Sequence, residues 1–196
     1  MKRCIIGIDE VGRGSLAGPV IAVASQIIDD SFTVQDSKKY PNEQSRVHAF
    51  HIVQKCVKYS VGHVTVQEID HYNIHRASLI AMQRAVYSFP FDTKCDYEIL
   101  VDGNTPIQIH KPFKVRAIVK GDQKEKCISS SSVIAKVIRD NIMNNLCSVF
   151  PQYGFSKHKG YGTKYHKQAI LSHGITCYHR RTFNPIKNSL LLCCNA

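Results

Sequence analysis

The sequence contains no tryptophan, no Cys-x-x-Cys step and no acidic residue after Asp140. It also has no apolar run near the roughly twenty residues that a membrane-spanning helix needs, so no span is read. The start, MKRCIIGIDE, reaches Asp9 too soon for the apolar core of a signal peptide. Eight cysteines are present, at 4, 56, 95, 127, 147, 177, 193 and 194. With no export signal and one vicinal pair, they are read as reduced thiols of a cytoplasmic protein rather than as a disulfide framework.

The missing acids are part of a wider asymmetry. Residues 141–196 carry seven Lys and Arg and no Asp or Glu, whereas the first 140 residues hold 19 basic and 15 acidic groups. The chain of 196 residues is therefore +11 overall, with the excess concentrated in its last third. That balance points to a polyanionic partner, nucleic acid or an anionic membrane. Apolar residues at 43% and charged residues at 21% match an ordinary globular domain, which excludes a disordered or fibrous chain.

Periodicity outlines the elements. Strands are read at 4–8, 20–24, 61–66, 97–101 and 115–119. A helix is read over 43–58, just after Pro41, from the spacing of Val47, Phe50, Val53 and Val57. Thr65 and Glu68 form a capping-box pattern that leads into an amphipathic stripe of Leu79, Met82, Val86 and Phe89. Ile134, Ile138, Ile142 and Leu146 mark a long helix that ends before Pro151. The stretch from Tyr153 to Gly162 is too rich in glycine and charge for a regular element, and short helices are read at about 163–172 and 185–192. The order predicts an α/β or α+β domain, with a small helical appendage after residue 150.

Three strands run into acids: Asp9-Glu10, Asp102 and Asp122. Sites in α/β sheets are built at strand ends, and four carboxylates brought together there would call for a hard, oxygen-liganded cation such as Mg²⁺ or Mn²⁺. Each acid also has a plainer explanation. Asp102-Gly103 is a common turn pair, and Asp122 with Glu125 fits a capping box for the next helix. Gly12-Arg13-Gly14 follows the first acid pair, combining a backbone that a ligand can approach with a planar fork for phosphate.

These residues resemble the bacterial ribonuclease HII family. The resemblance is carried by Gly7-Ile-Asp-Glu-Val-Gly-Arg-Gly14, Asp36-Ser-Lys-Lys39, Ala81-Met-Gln-Arg-Ala85, Val101-Asp-Gly-Asn104 and Val119-Lys-Gly-Asp122. It continues through Ile134–Asp140, Phe150–Phe155, His158-Lys-Gly-Tyr161 and Arg180-Arg-Thr-Phe183, in order from about residue 4 to about 190. The resemblance implies a ribonuclease H-like fold, a mixed central sheet flanked by helices. Residues 1–150 would be the catalytic domain, and 151–196 a basic loop and helical segment packed on it.

It further implies a metal-dependent endoribonuclease that cleaves the RNA strand of RNA–DNA hybrids. The same enzyme would incise on the 5′ side of ribonucleotides embedded in duplex DNA, leaving 3′-hydroxyl and 5′-phosphate ends. Asp9, Glu10, Asp102 and Asp122 would be catalytic and would hold Mg²⁺ or Mn²⁺, two ions during turnover. Gly12, Arg13 and Gly14 would read the 2′-hydroxyl, Tyr161 would pack on the adjoining sugar, and Lys38 and Lys39 would face phosphate. The implied partners are hybrid and ribonucleotide-containing duplexes, with no membrane and no second subunit. Asp140 is read as a structural or helix-surface acid. The serine run Ser129–Ser132 stands where the family typically has alanines, so its hydroxyls must find partners. The competing readings are a relative with the same fold, such as a ribonuclease HIII or a junction resolvase, and a non-catalytic basic protein that coats nucleic acid.

Overall fold

The structure, a computed structural model, describes residues 2–110 and 113–188. Its centre is a five-stranded mixed sheet with strands β1 (Lys2–Val11), β2 (Val20–Ile27), β3 (Val57–Val64), β4 (Cys95–Asp102) and β5 (Lys114–Ile118). The order across the sheet is β3-β2-β1-β4-β5. β2 pairs antiparallel with both β1 and β3, while β1, β4 and β5 run parallel. Parallel neighbours need crossover connections: three helices lie on the path from β1 to β4, whereas the described residues between β4 and β5 hold no helix.

Before β4 come α1 (Glu43–Cys56), α2 (Val66–Tyr72) and α3 (Ile74–Tyr87); after β5 come α4 (Gly121–Lys124), α5 (Lys126–Val149), α6 (Phe155–His158) and α7 (Lys164–His173). The capping boxes are real: Asn42 with Ser45 opens α1, and Thr65 with Glu68 opens α2. One sheet face is covered by α3, where Ala77, Ala81, Met82, Ala85 and Val86 meet Ile6, Ile8, Val20, Ile99 and Val101. The other face receives α1 and α5, with Ile134 and Ala135 against Ile21 and Val23. Gly7 is what lets α5 lie so low on β1. A Cβ there would stand 2.4 Å from the Cys127 carbonyl carbon and the Ile128 nitrogen, closer than any real contact.

Residues after Pro151 share a core with the rest of the chain. Tyr153, Phe155, Ala169, Ile170 and Ile186 pack on Met143 and Leu146 of α5 and on Leu16 and Ala17 of the β1–β2 connection. Among the described residues, Cys4, Cys56, Cys95, Cys127, Cys147 and Cys177 are free, and no helix is long and apolar enough to cross a membrane.

The elements differ from the sequence reading at their boundaries. Val57 sits on the periodic stripe of α1, yet its backbone is extended (φ −131°, ψ 147°) and it pairs with Ile27, so β3 begins there and not at 61. Pairing with β2 outweighs the helical spacing of a β-branched residue. Val66 opens α2 instead of closing β3, because Thr65 caps the helix. The glycine-rich stretch holds one helical turn, α6, bounded by Gly154 (φ 66°) and Lys159 (φ 50°) in left-handed conformations. Of the last expected helix, residues 186–188 are helical and the remainder, with Cys193 and Cys194, lies outside the described residues.

Candidate active site

The sheet register brings the first carboxylates together. Ile8 pairs with Val101, so Asp9 and Asp102 come next on adjacent parallel strands and, by strand alternation, share the face that α5 covers. Asp9 and Glu10 lie within β1, still paired to Val23 and Ala22 of β2, rather than beyond its end. Asp122 sits in the turn of α4, four residues after β5. The Asp102 carboxylate draws that turn in, accepting hydrogen bonds at Oδ1 from the Gly121 amide (2.7 Å) and the Asp122 amide (3.4 Å). Asp122 caps nothing: α5 starts at Lys126, and its N-cap residue is Glu125, with no side-chain cap bond. The capping explanation for Asp122 therefore fails, and the Asp102 carboxylate bonds the α4 turn rather than a turn of its own at Gly103.

Electrostatics report the crowding. Burial, then repulsion from Glu10 and Asp102, pushes Asp9 well above the usual carboxylate range, against the pull of the Ser132 hydroxyl and the Glu10 amide. Burial raises Glu10 too; Arg13, 3.3 Å away, opposes the rise and Asp102 adds to it. Burial, Asp102 and Asp36 raise Asp122, and Lys38 counters them with its ammonium 3.7 Å from Asp122 Oδ2. Desolvation works against the Lys38 charge, but Asp36, Asp122, Asp9 and Asp102 together hold its pKa above the ordinary value. Lys38 thus reaches the cluster. Lys39 is exposed, and no ion pair among the described residues ties it there.

The donor set is all carboxylate, which suits a hard divalent cation and not zinc or copper. Among the described residues, no three His, Cys, Asp or Glu side chains converge into a ready-made cage. Mg²⁺ does not need one, because it keeps waters and takes one or two carboxylates together with phosphate oxygens. By donor chemistry and mutual repulsion, Asp9, Glu10, Asp102 and Asp122 fit such an ion.

Beside the acids lies the Gly12–Gly14 loop, held from below by two buried arginines. Arg180 donates to the carbonyls of Arg13 (2.8 Å), Gly12 (2.7 Å) and Gly18 (2.8 Å). Arg139 donates to those of Ala17 (3.0 Å), Pro19 (3.0 Å) and Lys159 (2.9 Å). Gly12 has φ 100°, and a Cβ on it would stand 2.3 Å from Arg139 Nε, so only glycine fits. Burial and the neighbouring Arg139 push Arg180 down to about 9.

Tyr161 borders the same loop. Its backbone bridges Ser15, the Leu16 amide donates to the Gly160 carbonyl (2.8 Å), and a Cβ on Gly14 would sit 3.9 Å from the Tyr161 ring. A small cleft lined by Arg13, Ser78, Asp102, Gly103 and Asn104 joins the loop to the acids.

Sequence reasoning missed three supports. Arg139 and Arg180 stand in matched motifs but signal nothing about which carbonyls they reach. The serine run proves to be a brace. Ser129 donates to the Asp122 carbonyl (2.6 Å), Ser131 to the Gly7 carbonyl (2.8 Å), and Ser132 meets Ser37 (2.9 Å) as well as Asp9. Asp36, buried, accepts from the Lys38 amide and so sets the turn that carries Lys38. Asp140 is the structural acid expected of it, buried between Lys136 and Arg46.

Comparison with known proteins gives one consistent result. The family model described as Ribonuclease HII matches residues 6–186. The Ribonuclease HII of Ehrlichia chaffeensis is 43% identical over 189 residues, covering 94% of this chain and 88% of that protein. The crystal structure of the ribonuclease H2 from Pyrococcus horikoshii OT3 superposes with a TM-score of 0.78 at 24% identity, covering 94% and 96% of the two chains. That of Bst-RNase HIII in complex with Mn²⁺ has a TM-score of 0.70 at 15% identity, over 100% of this chain and 71% of the other.

Proposed function

Because the chain belongs to the ribonuclease HII family, endoribonucleases acting on RNA–DNA hybrids, we propose a specific reaction for it. It hydrolyses the RNA strand of hybrids and incises on the 5′ side of ribonucleotides embedded in duplex DNA, with Asp9, Glu10, Asp102 and Asp122 holding two divalent ions. The observation that carries this reading is the convergence of acids from three segments, with Asp102 in register beside Asp9 and accepting from the Gly121 and Asp122 amides, next to a glycine loop in a protein of net charge +11.

The ions are Mg²⁺ or Mn²⁺, the latter being the ion in the Bst-RNase HIII complex. Held by these carboxylates, such ions would supply an activated water and a Lewis acid for the departing oxygen. A water oxygen bonds to phosphorus as the bond from phosphorus to the 3′ oxygen breaks, that oxygen takes a proton, and the phosphate remains on the 5′ end of the downstream product. Asp102 orders its own neighbourhood by accepting from the Gly121 amide, which holds the α4 turn that carries Asp122 against the end of β4. Ser132 steadies the Asp9 carboxylate by hydrogen bonding.

The Gly12-Arg13-Gly14 segment reads the 2′-hydroxyl through its backbone and a phosphate through the Arg13 fork. Tyr161, half-exposed, packs on the adjoining sugar. Lys38 balances the acids and meets phosphate, whereas Lys39 adds long-range attraction. The protein acts as a monomer in the cytoplasm, in ribonucleotide removal during DNA replication and repair, a reading that rests on the family and on its thiol-rich composition. The test is an end-labelled DNA duplex with one internal ribonucleotide: a cut on its 5′ side with Mg²⁺ or Mn²⁺ supports the proposal, and an intact strand with both refutes it.

A further inference from the structure

A second cluster of titratable groups lies under the Tyr161 loop. His158 ends α6, His166 is in α7 and His179 follows α7; they are 9%, 0% and 1% exposed. Their hydrogen bonds fix where each proton sits. The Gly160 amide donates to His158 Nδ1 (3.2 Å), so His158 carries its proton on Nε2 and donates it to the Tyr153 carbonyl (2.8 Å). The Thr176 amide donates to His179 Nδ1 (2.9 Å), which leaves the His179 proton on Nε2, 3.1 Å from His166 Nε2. His166 Nε2 must then accept. Its proton is therefore on Nδ1 and is donated to the Tyr161 carbonyl (3.0 Å).

The chain of bonds closes only when all three rings are neutral. An added proton on either member of the His166–His179 pair sets N–H against N–H. Burial pushes both down to about 4, His158 adding repulsion to each. The titratable groups around the pair are His158, stacked on His166 at 4.5 Å, and the Tyr153 phenol, whose ring lies 5.0 Å from His179. Two of the loop's backbone groups are thus gripped by imidazole: the Gly160 amide by His158, and the Tyr161 carbonyl by His166, which shares it with the Thr163 amide (2.8 Å). The other side of the same loop is bonded to Ser15 and Leu16, next to Gly14.

We propose that His166, held by His179, is a positioning residue for Tyr161, and sets how well the enzyme recognises a single ribonucleotide at a junction with DNA. This rests on the reading of Tyr161 as a sugar contact. His166 itself touches no substrate and acts through the Tyr161 carbonyl.

Two measurements test it. Long-range proton–nitrogen spectra of the ¹⁵N-labelled full chain should show His166 in the Nδ1–H form and His179 in the Nε2–H form; His166 protonated on Nε2 overturns the inference without any variant. Cleavage is then compared on a single-ribonucleotide duplex and on a uniform hybrid. His166→Ala should lower kcat/KM on the first substrate about tenfold more than on the second, as misplacement of a contact residue does. His166→Asn, which keeps an N–H donor for the Tyr161 carbonyl, should recover most of the loss. Equal losses on both substrates mean a structural role alone and overturn the inference. Tyr161→Ala separates the two layers. If it shifts the substrate ratio and His166→Ala does not, the positioning role falls and the Tyr161 reading stands. If Tyr161→Ala leaves the ratio unchanged, both fall. Should His166→Ala fail to fold, the Asn variant and the spectra decide.

Discussion

Arg180 Nη2 donates to the Gly12 carbonyl at 2.7 Å across 168 residues of chain, joining the end of the fold to the loop beside its acids. The same guanidinium binds Arg13 and Gly18, so one side chain holds three carbonyls of the β1–β2 connection. A lysine cannot reproduce a planar fork. Arg180→Lys is expected to leave buried carbonyls unsatisfied, costing about 2–4 kcal/mol in urea denaturation and lowering cleavage about tenfold or more. Wild-type activity in a folded Arg180→Lys protein would remove the loop from the account.

Asp9 shows the opposite relation between stability and activity. Its folded-state pKa is raised, so the stability it contributes is present below the unfolded carboxylate pKa and is lost as pH rises through the folded value. At neutral pH and without metal, Asp9→Asn should therefore stabilise the protein by about 1–2 kcal/mol. It should also reduce cleavage by at least about a hundredfold. Thermal melts with and without Mg²⁺, alongside single-turnover cleavage, check both halves. A variant that is less stable and fully active would contradict them.

Much of the site is legible in the sequence. Asp9, Glu10, Asp102 and Asp122 stood out because each followed an apolar, β-branched run in a basic chain, and strand ends collect sites for reasons that sequence displays. The structure then moved Asp9 and Glu10 inside β1 and Asp122 into α4, since boundaries depend on pairing partners that local periodicity does not contain. Val57 illustrates the same limit. Arg139 and Arg180 were invisible as loop supports, because the destination of a long side chain is tertiary information. The serine run read as a packing problem and turned out to bind three acid-bearing segments, a use that depends on α5 lying directly on Gly7.

That brace gives a prediction of its own. Ser132 contacts both Asp9 and Ser37, and its hydroxyl favours the ionised carboxylate. Ser132→Ala should shift the Mg²⁺ dependence of cleavage to higher concentration, by several-fold to about tenfold, with a smaller change at saturating metal. An unchanged metal titration would mean that Asp9 needs no such support.

The two lysines of Asp36-Ser-Lys-Lys39 are separable. Lys38 stands 3.7 Å from Asp122, while among the described residues Lys39 is tied to no carboxylate. Lys38→Ala should reduce cleavage about tenfold. Lys39→Ala should change it little at physiological salt and mainly weaken the rise in activity at low salt. Equal effects across a salt series would refute the distinction.

Histidine sets a second pH window. His166 and His179 have folded-state values of about 4, below the unfolded value near 6.5. The unfolded chain binds more protons between those limits, so stability falls as pH drops from about 6.5 toward 4. Unfolding free energies of wild type and His179→Gln should converge by about 2–3 kcal/mol over that range. Parallel curves would show that the pair does not titrate as described.

The most direct measurement of the central claim is Mn²⁺ binding followed by electron paramagnetic resonance, on wild type, Asp9→Asn and Asp102→Asn. The account predicts that wild type depletes free Mn²⁺, that each variant binds at least about tenfold more weakly, and that Mg²⁺ competes for the same sites. Equal Mn²⁺ binding by all three folded proteins would contradict it.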